Sequence, residues 1–264
     1  MLVGLCSSTL CSAQDLTVAA GSDLQFVFPE IAAHFQKETG HSLKLIFGSS
    51  GNFFAQIQNG APFDLFFSAD IGYPQKLEAA GLTEAGSLYA YATGRIVLWT
   101  PSSSKIDLSR GLQVLLDLAI KKIAIANPQH APYGRAAVAA LQHEGIYERV
   151  AGKFVLGENI SQTASFVASG SADVGILALS LALAPSMKEK GIYKEIPQPD
   201  YPPIEQWAVI LKNSKQKDLA RRFLRYLKTP AVQELMQRYG FTPAEMACSP
   251  SVWQLASVNR ILYP

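Results

Sequence analysis

Charged side chains are scarce in this chain of 264 residues: they make up 17% of it, and the formal net charge is +2. The sequence has no basic block and no stripe of basic and aromatic residues, which argues against nucleic acid as a partner. No stretch of about 18 apolar residues follows the extreme N-terminus, so no membrane-spanning helix is predicted. Hydrophobic residues make up 48% of the chain, which predicts a globular protein with a sizeable core.

Cysteine is almost missing as well, with only Cys6, Cys11 and Cys248. The first two lie in residues 1–13, an apolar stretch of small residues that is typical of a truncated signal peptide cleaved after Ala13. Cleavage would leave Cys248 alone, so the mature chain is predicted to have no disulfide and no cysteine metal site. The signal peptide predicts export to the periplasm.

Motifs that carry catalysis or bind nucleotides are also missing. The turn at residues 48–51 is one residue too short for a nucleophile elbow, and no glycine motif of the nucleotide-binding folds occurs. The four histidines form no pair with metal-ligand spacing, so no metal-cation site is predicted. His130 remains as the one candidate for a general acid or base. The chain is therefore predicted not to be an enzyme and to need no cofactor.

Two similar turns stand near the start of the chain. Strand-like apolar runs end in small and hydroxyl residues at positions 21–23 and 48–51, and apolar residues at helical spacing follow each turn. The free N–H groups of a helix start, beside serine hydroxyls and within the positive end of the helix dipole, favour a small anion. Two such turns at one crevice would form an oxyanion site that needs no lysine or arginine.

Strand-like runs alternate with helical patterns along most of the chain, which predicts an α/β fold with largely parallel sheets. The predicted strands are 16–20, 43–47, 64–67, 96–99, 123–126, 173–177 and 207–211. The segment 90–95 and the proline-rich segment 197–203, which cannot be helical, are predicted to cross between two lobes. These crossings divide the chain into residues 14–93 plus 204–264 in lobe 1 and residues 94–203 in lobe 2. The ligand is expected in the cleft between them, beyond the carboxyl ends of the strands.

Two turns of the predicted second lobe add candidate donors. Tyr133 begins a helical pattern and offers its backbone N–H and its phenol. The N–H groups of Ile160 and Ser161 begin another helical pattern and are predicted to be unpaired. Each turn alone also fits an ordinary helix N-cap, which stabilises a helix by about 1 kcal/mol. Four such turns in one two-lobed chain favour anion binding.

Five segments resemble the periplasmic molybdate-binding proteins of bacterial ABC transporters, a substrate-binding protein family. They are AAGSDLQFVFPEIAAHF, FGSSGNFFAQIQNGAPFDLFFSAD, ANPQHAPYGRAA, GENISQTASFVASGSADVGILALS and YLKTPAVQELMQRYGFT. Together they cover about residues 16–242 in the family's order. The resemblance implies a type II periplasmic binding fold that closes on molybdate or tungstate. It also implies a monomer that delivers the anion to the membrane permease subunits of an ABC transporter.

Carried over position by position, the resemblance implies which residues hold the oxyanion. Ser22 and Ser50 match the hydroxyl contacts of the first lobe, and Ser49 is a further candidate beside them. In the second lobe the turn contact falls on Tyr133 and the backbone contact on Ile160.

Three positions depart from what this family or this turn would favour. Many members have a tyrosine where this chain has Ala178, and the phenol of Tyr133 is expected to replace it. Asp23 follows the key serine where an amide or apolar residue is common. Because a carboxylate beside a dianion costs energy, Asp23 is expected to cap the helix and face away from the ligand, although it remains a candidate contact. Pro29 is expected to kink the helix after Ser22 or to delay its start.

Other functions stay open at this stage. Phosphate or sulfate is an alternative ligand, and Asp23 would accept the hydrogen of a protonated phosphate. An enzyme on the same fold would use Tyr133 or His130 as its acid. A cytosolic ligand-sensing regulator is a further alternative, although no DNA-binding segment is evident. Molybdate and tungstate are too alike in size and charge to be separated by the sequence.

Overall fold

The computed structural model describes residues 16–244, which form two lobes, each a sheet flanked by helices. The strands are β1 Leu16–Gly21, β2 Leu43–Gly48, β3 Leu65–Ser68, β4 Tyr89–Gly94, β5 Ile96–Pro101, β6 Ile123–Ala126, β7 Phe154–Gly157, β8 Val174–Ala178, β9 Gly191–Glu195, β10 Ile204–Ile210 and β11 Thr242–Pro243. The helices are α1 Val27–Thr39, α2 Ser50–Gln58, α3 Gly72–Ala79, α4 Pro132–His143, α5 Tyr147–Val150, α6 Ile160–Ala168, α7 Leu179–Ala182, α8 Pro185–Lys188, α9 Lys217–Tyr226 and α10 Pro230–Arg238. The predicted two-lobed α/β fold is confirmed.

The two sheets have the strand orders β11-β4-β10-β3-β1-β2 and β7-β6-β8-β5-β9. Strand β1 runs parallel to β2 and β3, and β6 runs parallel to β7 and β8. Strands β4, β10 and β11 form antiparallel pairs with their neighbours in the first sheet. Strands β5 and β9 form antiparallel pairs in the second sheet. The sheets are therefore mixed, where the sequence predicted largely parallel ones. Four of these five strands begin or end at a crossing between the lobes. Two consecutive strands can lie parallel only if a long connection, usually a helix, joins them, and these crossings are too short for that.

The crossings differ from those that the sequence predicted. Residues 89–94 belong to β4, so the first crossing is reduced to Arg95 between β4 and β5. The second crossing contains a single 3-10 turn, Gln198–Asp200, where the prolines had argued against any helical residue. Arg95 Nη1 donates to Glu195 Oε2 at 2.8 Å, which ties the two crossings together. All strands up to residue 94 and from residue 204 onward lie in the first sheet, and those of residues 96–195 lie in the second.

Each lobe has its own apolar core. In the first lobe Phe28 packs edge-on against Phe67 with ring centroids 4.9 Å apart, and Phe223 packs against both. In the second lobe the fully buried Trp99 lies among the strands of the sheet. Because interiors pack as densely as organic crystals, these cores hold the strand ends in fixed positions.

The helix that follows Ser22 begins late, as Pro29 predicted. Ser22–Leu24 form a 3-10 turn, and α1 starts at Val27. Pro29 is the third residue of α1, where an N–H group has no partner inside the helix, so the proline is tolerated there.

Several predictions fall outside the described residues, among them the signal peptide of residues 1–13, its cleavage after Ala13 and the isolation of Cys248. Across residues 16–244, no helix is long and apolar enough to cross a membrane.

Candidate functional site

The carboxyl ends of parallel strands from both sheets meet at a small cavity between the lobes. Strands β1, β2 and β3 deliver the first-lobe residues, and the turns after β6 and β7 deliver those of the second lobe. The cavity measures about 10 Å³, room for roughly one water molecule, so the lobes lie close together around it. It is lined by Gly21, Ser22, Asp23, Gly48, Ser49, Ser50, Ala69, Ala131, Pro132, Tyr133 and Ile160. All six sequence-predicted site residues therefore lie at one place.

The two serines matched to hydroxyl contacts are buried and keep a proton to donate. The Ser50 hydroxyl accepts a hydrogen bond from the Ala69 N–H at 3.0 Å. The Ser22 hydroxyl accepts one from the Ser161 N–H, across the cleft, at 3.3 Å. A hydroxyl has one proton and two lone pairs, so each serine can still donate to an anion in the cavity. The Ser161 N–H, predicted to be unpaired, is paired with Ser22.

Ser49 caps α2 and also contacts the second lobe. Its hydroxyl accepts from the Asn52 N–H at 3.3 Å and lies 3.0 Å from His130 Nδ1. Beside it, the Gly51 N–H donates to the His130 carbonyl oxygen at 2.9 Å. A β-carbon on Gly51 would lie 2.7 Å from that oxygen, so the close approach of α2 to the second lobe requires glycine here.

Asp23 does not cap a helix, contrary to the expectation from the sequence. The 3-10 turn that contains it has no side-chain cap, and its Oδ2 accepts a hydrogen bond from the Tyr133 hydroxyl at 3.1 Å. Asp23 lines the cavity and is 1% exposed, and this burial raises the pKa of its carboxyl to about 6. The Asp23 carboxylate therefore bonds to the phenol of Tyr133 on the other lobe instead of capping the helix.

Tyr133 is the second residue of α4 and is buried at the cavity wall. Its hydroxyl donates to Asp23 and accepts from Gln206 Nε2 at 3.2 Å, so its single proton is already committed. Burial, followed by the negative charge of Asp23, raises the pKa of Tyr133 well above its usual value. The phenol therefore remains neutral, and what the turn offers to a ligand is the backbone N–H of Tyr133, because Pro132 has no N–H and those of Gly134 and Arg135 donate to the Ala131 carbonyl oxygen. Ala178 is fully buried at the end of β8 and does not line the cavity.

Ile160 is the first residue of α6, where the sequence placed it. Asn159 caps this helix, its Oδ1 accepting from the Gln162 N–H at 2.9 Å. The Ile160 side chain is 4% exposed and lines the cavity. Its backbone N–H lies in the helix's positive end, where it has no partner within the helix.

Charged side chains lie at the rim of the cleft. Arg135 forms an ion pair with Asp70 across the lobes, and His130 Nε2 lies 3.7 Å from Glu158 Oε2. Neither lysine nor arginine occurs among the residues that line the cavity. Any positive potential inside it comes from helix starts and hydroxyl protons.

The sequence analysis did not predict the buried polar side chains of Gln206 and Tyr91, which lie close to Asp23. Gln206 lies in β10 and is fully buried, and the Tyr91 hydroxyl donates to its Oε1 at 2.8 Å. The available signal was a glutamine in the apolar strand IEQWAVI, since a buried polar side chain needs a partner. It also missed the approach of His130 to Ser49, because the two residues are 81 positions apart.

One group of side chains elsewhere has metal-ligand chemistry. Ligand atoms of His143, Glu144 and Asp200 lie within 4.8 Å of one another near the end of α4. His143 Nδ1 is 3.4 Å from Asp200 Oδ1, and Gln113 Nε2 donates to Glu144 Oε2 at 2.7 Å. His143 and Asp200 are thus partners of each other, and Glu144 is held by Gln113.

The fold and the cavity define a class of protein: a two-lobed solute-binding protein, in which both lobes close on a ligand held at their strand ends. Within this class the chain belongs to the bacterial extracellular solute-binding protein family, whose model matches residues 16–242.

Relatives and a solved structure agree with this assignment. The chain is 41% identical to the molybdate-binding protein of Azotobacter vinelandii over 88% of its length and 92% of the relative's. It is 39% identical to that of Rhodobacter capsulatus over 87% of its length and 89% of the relative's. The solved Azotobacter vinelandii periplasmic molybdate-binding protein superposes with a TM-score of 0.82 at 36% identity, covering 86% of this chain and 98% of that one.

Proposed function

We propose that this protein captures molybdate or tungstate outside the cytoplasm and delivers it to the permease of an ABC transporter. The observation that carries the proposal is the cavity between the lobes, which is lined by hydroxyls and helix starts and has no cationic side chain. The names of the two relatives at 41% and 39% identity support the choice of molybdate.

A site built of donors suits a fully deprotonated tetrahedral oxyanion. The protons of Ser22 and Ser50 and the N–H groups at Tyr133 and Ile160 would each donate to one of its oxygens. A protonated phosphate would need an acceptor for its own hydrogen, and Asp23 is the one carboxyl group among the residues that line the cavity. The donors and the two relatives favour molybdate or tungstate, and the binding of protonated phosphate depends on whether Asp23 is ionised. The donor set does not separate molybdate from tungstate, which present the same oxygens.

Calorimetric titration of the purified mature protein with molybdate, tungstate, sulfate and phosphate tests the proposal. We expect molybdate and tungstate to bind with similar affinity, and sulfate and phosphate to bind far more weakly. Tight binding of phosphate or sulfate together with weak binding of molybdate would overturn it.

The place of action is tested separately. We expect the chain, expressed behind a full signal sequence, to appear in the periplasm with Gln14 as its first residue, and mass spectrometry of that fraction reads this directly.

We also expect a monomer by light scattering. The molybdate-loaded protein should stimulate ATP hydrolysis by its complete ABC transporter in vesicles, while the ligand-free protein should not.

An enzyme on this fold has one observation in its favour. The Ser49 hydroxyl lies 3.0 Å from His130 Nδ1, and Glu158 is on the far side of the imidazole. A hydrolase would use these three groups as nucleophile, base and orienting carboxylate. We expect no turnover, because Ser49 Oγ caps α2 and Glu158 is largely exposed. Hydrolysis of aryl esters or aryl phosphates that is lost in Ser49→Ala would support the enzyme instead.

A further inference from the structure

The carboxyl group of Asp23 has one satisfied oxygen and one that is not. Oδ2 accepts the hydrogen bond of Tyr133, whereas Oδ1 is buried and has no hydrogen-bond partner among the described residues. Oδ1 lies on the side of Gly21, where an added β-carbon would approach it to 2.6 Å. Gly21 and Asp23 both line the cavity, so the carboxyl group that carries the unpartnered oxygen lies at the oxyanion site.

Among the described residues, no cationic side chain contributes to the pKa shift of this carboxyl group. The titratable groups that face it are the phenols of Tyr133 from α4 and Tyr91 from β4, and burial raises the pKa of both well above the usual value. The Gln206 amide of β10 lies close enough to the carboxyl group to lower its pKa, and the Ser180 hydroxyl of α7 donates to the Asp23 carbonyl oxygen at 2.8 Å. Arg135 at the rim is paired with Asp70. Within residues 16–244, the groups named here as neighbours of the Asp23 carboxyl, two phenols, an amide and a hydroxyl, are thus neutral at pH 7.

An ionised Asp23 and a bound dianion would repel each other inside one closed cavity. The repulsion is strong there, because the cavity is small and no lysine or arginine lines it. A neutral carboxyl group removes the repulsion and turns the unpartnered oxygen into a hydrogen-bond donor. Burial already raises the pKa of Asp23 to about 6 before any anion is considered.

We propose that Asp23 takes up one proton when the lobes close on the oxyanion, and that its Oδ1–H donates to an oxygen of the bound anion. The proton comes from solvent, stays on the carboxyl group while the anion is held, and returns to solvent on release. No covalent bond to the anion forms or breaks. This inference rests on the proposed function and adds to anion capture the uptake of one proton by Asp23.

The pH dependence follows from this coupling. A bound anion raises the pKa of Asp23 further, so the bound protein holds more protons than the free protein at pH values between the two pKa values. Affinity is therefore highest below the free pKa and falls as pH rises from there towards the bound pKa, by up to about ten-fold per pH unit. The anion itself should be fully deprotonated over the range used.

The test is calorimetry with molybdate in two buffers of different ionisation enthalpy, from about pH 6.5 to 8.5. We expect wild type to take up close to one proton per anion within this range and to lose affinity as pH rises. In Asp23→Asn the amide is a permanent donor, so we expect no proton uptake, a flat profile and tighter binding than wild type at the alkaline end. The matched control is Asp218→Asn, which removes an exposed carboxylate of α9 far from the cavity; it should behave like wild type.

The outcomes separate this inference from the function on which it rests. Molybdate binding by wild type without proton uptake and with a flat profile overturns the inference and leaves the function intact. This measurement needs no variant, so misfolding of Asp23→Asn would not obscure it. If molybdate does not bind wild type at all, both are overturned. If phosphate binds instead and Asp23→Asn abolishes that binding, Asp23 is an acceptor for the ligand's own proton, and the inference is wrong.

Discussion

The two lobes contribute different chemistry to the same cavity. The first lobe supplies polar side chains, Ser22, Asp23, Ser49 and Ser50, from the ends of its strands. The second lobe supplies residues 131–133 and Ile160, whose side chains are small, apolar or, at Tyr133, already bonded to Asp23. What the second lobe offers a ligand is the backbone at two helix starts. The contribution of the first lobe therefore depends on its residue types, and that of the second lobe depends on its backbone geometry.

This difference predicts where substitutions act. A side-chain donor of the first lobe can be deleted by a single mutation. A backbone donor of the second lobe remains through most mutations and is lost only when the lobes fail to meet or when proline removes the N–H.

The largest loss of affinity is expected from Gly51→Ala, which hinders the contact between the two lobes. The new β-carbon would lie 2.7 Å from both the His130 carbonyl oxygen and its Cβ, which are fixed parts of the second lobe. The lobes would then stay apart, and the second-lobe donors would not reach the anion. Each hydrogen bond to a charged group is worth about 1.5–3 kcal/mol, so the loss of two should weaken molybdate binding by about a hundred-fold or more. Calorimetry measures this directly.

The control for this glycine is Gly152→Ala. A β-carbon at Gly152 meets nothing within 4 Å, and its backbone does not require glycine, so its affinity should equal that of wild type. Small-angle scattering of molybdate-saturated Gly51→Ala should show a more extended particle than wild type. A compact particle with wild-type affinity would mean that the contact at His130 does not govern closure.

The next largest effects are expected from Ser22→Ala and Ser50→Ala, which remove side-chain donors of the first lobe. Each loses one hydrogen bond to a charged ligand, so affinity should fall roughly ten-fold or more while the fold is kept. Ser165→Ala, an exposed serine of α6, is the matched control. Unchanged affinity in both cavity variants, with normal thermal unfolding, would place the anion elsewhere.

Ile160 allows a similar test of a backbone donor in the second lobe. Ile160→Pro deletes the N–H at the first position of α6, where proline is favoured, and Asn159 before it is already extended at φ −151° and ψ 174°. We expect a loss of affinity of about ten-fold, as for one serine. Ile160→Ala keeps the N–H and should bind within a few-fold of wild type. Equal affinity of the proline and alanine variants would show that this N–H does not contact the anion.

The contrast between the lobes also explains how much of the site the sequence predicted. Ser22 and Ser50 stand in glycine-serine turns after apolar runs, so residue types alone indicate an anion site. Tyr133 and Ile160 were candidates from the helix starts of the second lobe. A backbone N–H is present at every helix start, so the resemblance to a family was needed to single them out.

The strands of the fold could also be predicted only in part from the sequence. Seven strands were placed close to their true positions, since each is an apolar run with clear ends. Strands β4, β7, β9 and β11 were missed: β7 and β9 are partly exposed, β11 has two residues, and β4 was taken for a crossing. The orientation of Asp23 could not be predicted, because its partner Tyr133 is 110 residues away and on the other lobe.

The smallest change in affinity is expected from Tyr133→Phe, which removes the second lobe's one polar side chain at the cavity and keeps its backbone. Asp23 Oδ2 and Gln206 Nε2 each lose a partner, so stability should fall by about 1–3 kcal/mol in thermal or denaturant unfolding. The bond from Tyr133 lowers the pKa of Asp23, so without it that pKa rises further above about 6. Asp23 is then protonated over a wider range, and the fall of affinity with rising pH should move to higher pH, while affinity near pH 6 changes by no more than a few-fold. A large loss of affinity at every pH would mean that the phenol itself contacts the anion, and the second lobe would then contribute a side chain as the first lobe does.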